Sequence, residues 1–189
     1  MTQLLWHYNR AWTLLDEGSG DGVVDAAVEH ASAQAARPPR RRERALLRSV
    51  VRDVVQFQEE TKAESCFVLS TTSPVVRVIA YAVVHSVPGT DRAETFVADA
   101  RAPRPSGIGD AGVSTHDLPV GPATRVEMRE RKQGKRGQPV MTVVRWIVTM
   151  VEGTEELTVV VSGFIPDEND VALARPMLDE LLRGLSIRW

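Results

Sequence analysis

Thiols are almost absent: Cys66 is the sole cysteine of 189 residues, so no internal disulfide forms and a reducing compartment is expected. Long apolar runs are missing too. No window reaches the ~20 consecutive apolar residues of a spanning helix. Residues 1–17 have no basic leader with an apolar stretch behind it, because Leu4-Leu5-Trp6 gives way at once to His7, Asn9 and Arg10. These absences predict no signal peptide, no membrane association and a cytoplasmic location. Neither charge is in excess. A formal net charge of −2 gives no overall pull toward nucleic acid or acidic lipid. Lysine is scarce beside arginine, as GC-rich genomes encode.

What remains is the composition of a globular protein, 43% apolar and 25% charged. Read as one domain over 1–189, it is long enough to bury a core unaided. The first third reads helical. Leu4, Leu5, Tyr8, Trp12 and Leu15 recur at three- and four-residue steps, which predicts an amphipathic helix over 3–16 ended by Gly18-Ser19-Gly20. A second helix, over 22–36, carries Val24, Ala27, Val28 and Ala31 on one face and stops at Pro38-Pro39. The third, over 43–62, has Leu47, Val50, Val51, Val54 and Phe57 as its apolar stripe. Its opposite face carries Arg48, Arg52, Glu59 and Glu60.

From residue 65 onward the pattern is that of strands. Residues 65–70 and 75–87 read as a pair joined near Ser73-Pro74. The second is apolar at nearly every position, as a strand covered on both faces would be. Asp91-Arg92-Ala93-Glu94 resembles a capping box and predicts a short helix to about residue 100. Residues 101–112, rich in Pro, Gly and Arg, predict a mobile loop. Over 123–131, Val126 and Met128 alternate with Arg125, Glu127, Arg129 and Arg131, which predicts a strand with its charged side in water. A polar turn over 133–139 leads to another strand over 140–151.

Gly153-Thr154 then supplies glycine at the first central position of a II′ hairpin turn. That turn sets Glu152 opposite Glu155, Met150 opposite Leu157, Val148 opposite Val159 and Trp146 opposite Val161. One face of the hairpin is thereby wholly apolar, and a slip of one residue would expose the whole set. A closing helix over 169–183 carries Val171, Ala174, Leu178, Leu181 and Leu182 and ends at Gly184. No repeat or heptad array is visible. The fold class is α+β, an antiparallel meander of about five or six strands flanked by helices. The helical part, 1–62, is expected to pack on the sheet and closing helix of 65–189.

Leu118-Pro119-Val120-Gly121-Pro122-Ala123-Thr124-Arg125, followed by two long strands and a helix ending in Leu185-Ser186-Ile187-Arg188-Trp189, resembles the PsbP-like α/β/α sandwich superfamily, particularly bacterial members of the LpqN type. The resemblance covers about residues 65–189. It implies a sandwich fold but no single function, since photosystem accessory proteins, Ran-binding proteins and secretion chaperones share that superfamily. Secreted members begin with a signal peptide, which is not expected here. No catalytic residue carries over.

Several motifs invite chemistry. Gly107-Ile108-Gly109-Asp110-Ala111-Gly112 matches the dinucleotide-binding glycine pattern, but it precedes a strand-like Val113-Ser114-Thr115 where that motif needs a helix. Cys66 opens an apolar strand and reads as a buried structural thiol. His116-Asp117 lacks the further ligands of a metal site. Ser114, His116 and Asp117 are too close on one strand to converge as a triad. Arg40, Arg41 and Arg42, within Arg37-Pro38-Pro39-Arg40-Arg41-Arg42-Glu43-Arg44, are a candidate anion site, set against the plainer reading of a solvated linker. No aromatics interleave with them, so nucleic acid is not the expected partner. Trp6 and Trp12, six apart, would face different sides of a helix, which makes them candidates for contact with a protein partner or a second copy.

The reading that follows is a non-enzymatic binding, adaptor or chaperone-like protein without metal or cofactor. A small hydrolase or transferase with a site hidden in three dimensions is the alternative. Phosphate or nucleic-acid binding through the Arg40–Arg44 cluster ranks third.

Overall fold

The computed structural model describes residues 3–15, 20–131 and 140–188. Along the chain run β1 (Gln3–Trp6), β2 (Trp12–Leu15), α1 (Asp21–Ala33), α2 (Arg41–Thr61), β3 (Ser65–Thr71), β4 (Arg77–Pro88), α3 (Ala93–Arg101), β5 (Gly112–Leu118), β6 (Gly121–Arg131), β7 (Val140–Glu152), β8 (Glu155–Ile165), α4 (Val171–Arg183) and β9 (Leu185–Arg188). The class is α+β, as the sequence indicates, with more strands than expected. Antiparallel β1 and β9 form a two-stranded sheet, and the other seven strands are ordered β2-β3-β4-β8-β7-β6-β5. The turn anticipated at 133–139, Gly18, Ser19 and Trp189 lie outside the described residues.

The chain divides into two compact units, one of residues 9–83 and one formed by the chain before Asn9 and from Val84 onward. In the first, the helix expected over 3–16 is replaced from Trp12 by strand β2. The three- and four-residue spacing of its apolar residues is real, but local hydrogen bonds break the helix. Asn9 Oδ1 accepts from the Ala11 N–H at 2.9 Å and Asn9 O from the Trp12 N–H at 3.1 Å, turning the chain into β2. Trp12 then pairs with Leu69 and Leu15 with Cys66. Long-range pairing outweighs the local pattern.

Helices α1 and α2 form an antiparallel hairpin, joined by Val24, Ala27, Val28 and Ala31 on one side and Leu47, Val51, Val54 and Val55 on the other. Along its outer seam each four-residue step on α1 meets a four-residue step back on α2. Asp21 pairs with Arg52 at 2.7 Å, Asp25 with Arg48, and Glu29 with Arg44. Arg48 and Arg52, which the sequence places on a solvent face, are therefore rungs of a ladder. The hydrogen bond from Arg52 holds the Asp21 carboxyl below its ordinary range.

The start of α2 is held by Glu43. Arg37 donates to both of its carboxylate oxygens, at 2.8 and 2.7 Å, and the Arg40 N–H donates at 2.8 Å. These bonds, Arg37 first, lower the Glu43 carboxyl from 4.5 to about 2. An unfolded chain binds this proton at higher pH than the folded one. The stabilisation is therefore complete above about pH 4.5 and lost as pH falls toward 2. In thermal melts across that window, the wild-type midpoint should fall more steeply than that of Glu43→Gln. Parallel acid limbs would contradict this.

In the second unit, the β7–β8 hairpin has the register read from the sequence. Gly153 adopts φ 60°, Trp146 faces Val161, and both are buried, at 4% and 1% exposure. Alternation along β6 separates two layers. Val126 and Met128, with Val143 and Ile147 of β7, pack against Ala100, Phe96 and Val97 of α3. Arg125 and Glu127 point the other way and meet Asp179 and Arg175 of α4. The two helices thus cover opposite faces of β6–β7.

Gly163 on β8 admits α4. A Cβ there would stand 2.7 Å from a terminal carbon of Leu178, itself 1% exposed. The helix after residue 90 forms, but Asp91 does not cap it. Arg92 occupies the N-cap without a side-chain bond, and the Ala93 N–H finds Thr90 O at 3.2 Å. The stretch expected as a mobile loop is bound to β6 through Ile108 N–H to Arg129 O and Arg131 N–H to Ser106 O, each 2.8 Å.

Candidate functional site

Strand β5 ends the seven-stranded sheet, and among the described residues no strand pairs its outer edge. It is exposed from Gly112 to Asp117. With β6 it forms a hairpin bearing a cleft on each face.

On the α4 face the cleft, about 410 Å³, sets the charged and polar groups of Ser114, Arg125, Glu127, Arg129 and Arg175 beside Ile108, Val113 and Met128. Arg125 donates to Glu127 at 2.6 Å, and its Nε lies 3.8 Å from Asp179, an ion pair too long for a hydrogen bond. Glu127 also binds Arg175, and Arg129 binds Glu168. Every arginine of the cleft therefore has a carboxylate, and an arriving anion would have to displace one. Of the residues expected to face water, Arg129 and Arg131 do, while two are drawn in: Arg125 is 17% exposed and Glu127 22%. Asp179 and Arg175, supplied by a helix some fifty residues later, are what the alternation along β6 could not disclose.

Beneath this network lies Trp146. The Arg125 guanidinium sits 5.7 Å above its ring, and the His116 ring is 4.8 Å away. Ser114 Oγ is 2.9 Å from His116 Nε2. Two residues apart, these side chains share a face, while Asp117 projects to the opposite one. Among the described residues no carboxylate holds the imidazole, so the pair lacks the orienting third group of a nucleophile relay.

On the α3 face the cleft is mostly apolar, about 380 Å³, floored by Ala93, Val97 and Ile147 and rimmed by Thr115, Thr124 and Thr149. Its ends carry opposite charge. Thr158 donates to Gly89 O at 2.7 Å, just before α3, and lies in one cross-strand row with Thr149, Pro122 and Asp117. The start of α3, with Glu94, therefore stands at the Asp117 end. Ala100 packs on Val126, opposite Val113, and places Arg101 at the other end. Farther along this face, burial holds the Arg145 guanidinium below its ordinary range, with Arg104 adding repulsion.

The residues singled out by sequence are scattered. Trp6 is half-buried on β1 opposite Leu185, not on a helix. Trp12 is 1% exposed, its ring edge-on to Phe67 at 6.4 Å. Arg40, Arg41 and Arg42 are exposed at the start of α2. Cys66 is fully buried, and burial pushes its thiol up to about 12, which leaves almost no thiolate at neutral pH. The Gly107–Gly112 motif runs into β5, so no helix N-terminus is offered to a pyrophosphate. Among the described residues no group of three or more His, Cys, Asp or Glu is arranged to hold a metal, and no helix is long and apolar enough to cross a membrane.

The exposed arginines give a sharp expectation. Replacing Arg40, Arg41 and Arg42 together with glutamine should leave the melting midpoint unchanged or slightly raised, because cations at a helix N-terminus oppose its dipole. Salt-dependent binding of duplex or single-stranded nucleic acid, lost in the triple variant, would reinstate the anion-site reading.

No protein-family model and no curated protein matches the chain. Among solved structures it is similar to LpqN of Mycobacterium tuberculosis, described as involved in cell envelope biogenesis. That similarity has a TM-score of 0.56 at 12% identity and covers 100% of this chain and 85% of LpqN. A protein of Bacteroides thetaiotaomicron also matches at 12% identity, over 98% of this chain and 45% of that one, with a TM-score of 0.39 that carries no argument. At these identities the likeness to LpqN is one of fold.

Proposed function

We propose, starting from the fold shared with LpqN, that the chain is a non-enzymatic binding protein of the PsbP-like sandwich type whose partner docks at the β5–β6 edge. The observation that carries this reading is the apolar cleft between α3 and β5, open beside a strand edge that no other described strand pairs. The opposite cleft is neutralised by its own ion pairs and offers no equally available ligand groups. A protein partner suits an apolar floor with threonine hydroxyls and charged ends. We place the protein in the cytoplasm on its single buried thiol; cell fractionation tests that placement.

The binding reading predicts a position-specific contact. A photo-reactive phenylalanine analogue at Thr115 should cross-link a small, reproducible set of proteins in the native cell. The same group at exposed Leu46 on α2 should not. Equal adducts at both positions, or none at Thr115, would overturn it. If the adduct is a second copy of the chain, the function is self-association, which native mass measurement with and without Trp6→Ala would examine further.

The hydrolase reading rests on the 2.9 Å contact between Ser114 and His116. A fluorophosphonate probe separates it from binding. We expect no labelling, whereas stoichiometric modification of Ser114 would replace the binding reading.

A further inference from the structure

We propose that the partner segment at this edge is an extended peptide added to β5 as an eighth strand, with alternate side chains entering the cleft under α3. This rests on the binding reading above and specifies its occupant. Along the seven residues of β5 every second one turns its backbone donor and acceptor to an edge with no strand beside it among the described residues. Such an edge is a template for another strand. The cleft lies on the same side of the sheet as Val113, Thr115 and Asp117, so every second residue of an added strand would project at its open margin and could reach in across β5.

The floor of Ala93, Val97 and Ile147 lies inward of β5, about 14 Å from an added strand at Ile147, and calls for long apolar side chains at those alternate positions. The ends call for charge: a basic residue toward Glu94 and Asp117, and an acidic one toward Arg101. A second copy of β5 fits less well. Paired antiparallel about Thr115, it would set threonine over the centre of the floor and bring Val113, not a cation, to the acidic end. The occupant inferred is therefore a segment of a different protein.

The test uses the full chain and a library of blocked random heptapeptides. Selection should enrich sequences that alternate long apolar residues with polar ones, basic at one end and acidic at the other. The best of these should slow hydrogen exchange of β5 amides and shift the resonances of Val97 and Thr124. Methylating its alternate backbone nitrogens on the β5-facing side should weaken binding by about tenfold or more, since two or three backbone bonds are lost. Val97→Arg should weaken the unmethylated peptide comparably, with β7–β8 amide protection retained as proof of folding.

Each contrary outcome is distinct. If the methylated peptide binds as well, or the cleft responds without protection of β5, strand addition fails while binding in the cleft survives. An empty selection, with no response in the cleft, overturns both readings. Concentration-dependent self-association that protects β5 identifies a second copy as the occupant and overturns the heterologous peptide.

Discussion

Trp146→Ala should lower stability by about 3–5 kcal/mol, the range for removing a large aromatic from a packed core. Its ring is 4% exposed, stands opposite Val161, and supports both Arg125 and His116. Truncation opens a cavity and strips those two polar groups of their platform at once. Denaturant melts measure the loss, with Trp146→Phe as the control that should recover most of it. Because Arg125 also binds Glu127 and Asp179, nitrogen-15 spectra of the alanine variant should show disturbance spreading from β7 to α4. A change of less than about 1 kcal/mol would contradict the burial that the hairpin register requires.

Gly184→Ala should be nearly as damaging, for a different reason. The residue has φ −82°, which any amino acid adopts, so the glycine is not there for its backbone freedom. A Cβ at this position would fall on the carbonyl oxygen of His7, far inside contact distance. The obstacle is main chain and cannot rotate away. The bond from the His7 N–H to Gly184 O, 2.8 Å, must then break, and β1 must lift from β9. Overpacking costs about 1–3 kcal/mol in a core and more against rigid backbone. Hydrogen exchange is the direct measurement: amides of β1 and β9 should lose protection while β7 and β8 keep theirs. Unchanged protection in β1 would show that the added methyl is accommodated without parting the two strands, and would overturn the prediction.

The β7–β8 hairpin was legible because one turn residue and a two-residue period determine everything beyond them. Gly153 chooses the turn, the turn fixes the register, and eleven cross-strand pairs follow. Helices α1 and α2 were legible as helices for a similar reason, each having a single apolar face. The segment from Gln3 to Leu15 was not. Its apolar spacing suits a helix, yet β1 pairs with the strand running from Leu185 to Arg188, information that no local window contains. The α4 cleft was hidden by the same kind of gap. Arg125 and Glu127 carry the signature of a solvent face, and only the arrival of α4 turns them inward. The α3 cleft had weaker clues still. An edge strand is recognised by what does not pair with it, and sequence records composition, not neighbours.

The ladder between α1 and α2 has a consequence for alignment. All three rungs are acidic on α1 and basic on α2, so the seam has polarity as well as spacing. Sliding one helix by a single turn keeps two rungs and strands one acid and one base at opposite ends. Sliding by two turns keeps only one. Exposed pairs of this sort add little to overall stability, but the differences between offsets accumulate in one direction. The apolar seam of Val, Ala and Leu is far less particular about which turn meets which. The charges thus act as a vernier, marking the one offset at which every graduation coincides. Exchanging the acids and bases wholesale should preserve that alignment, whereas reversing one helix alone should erase it.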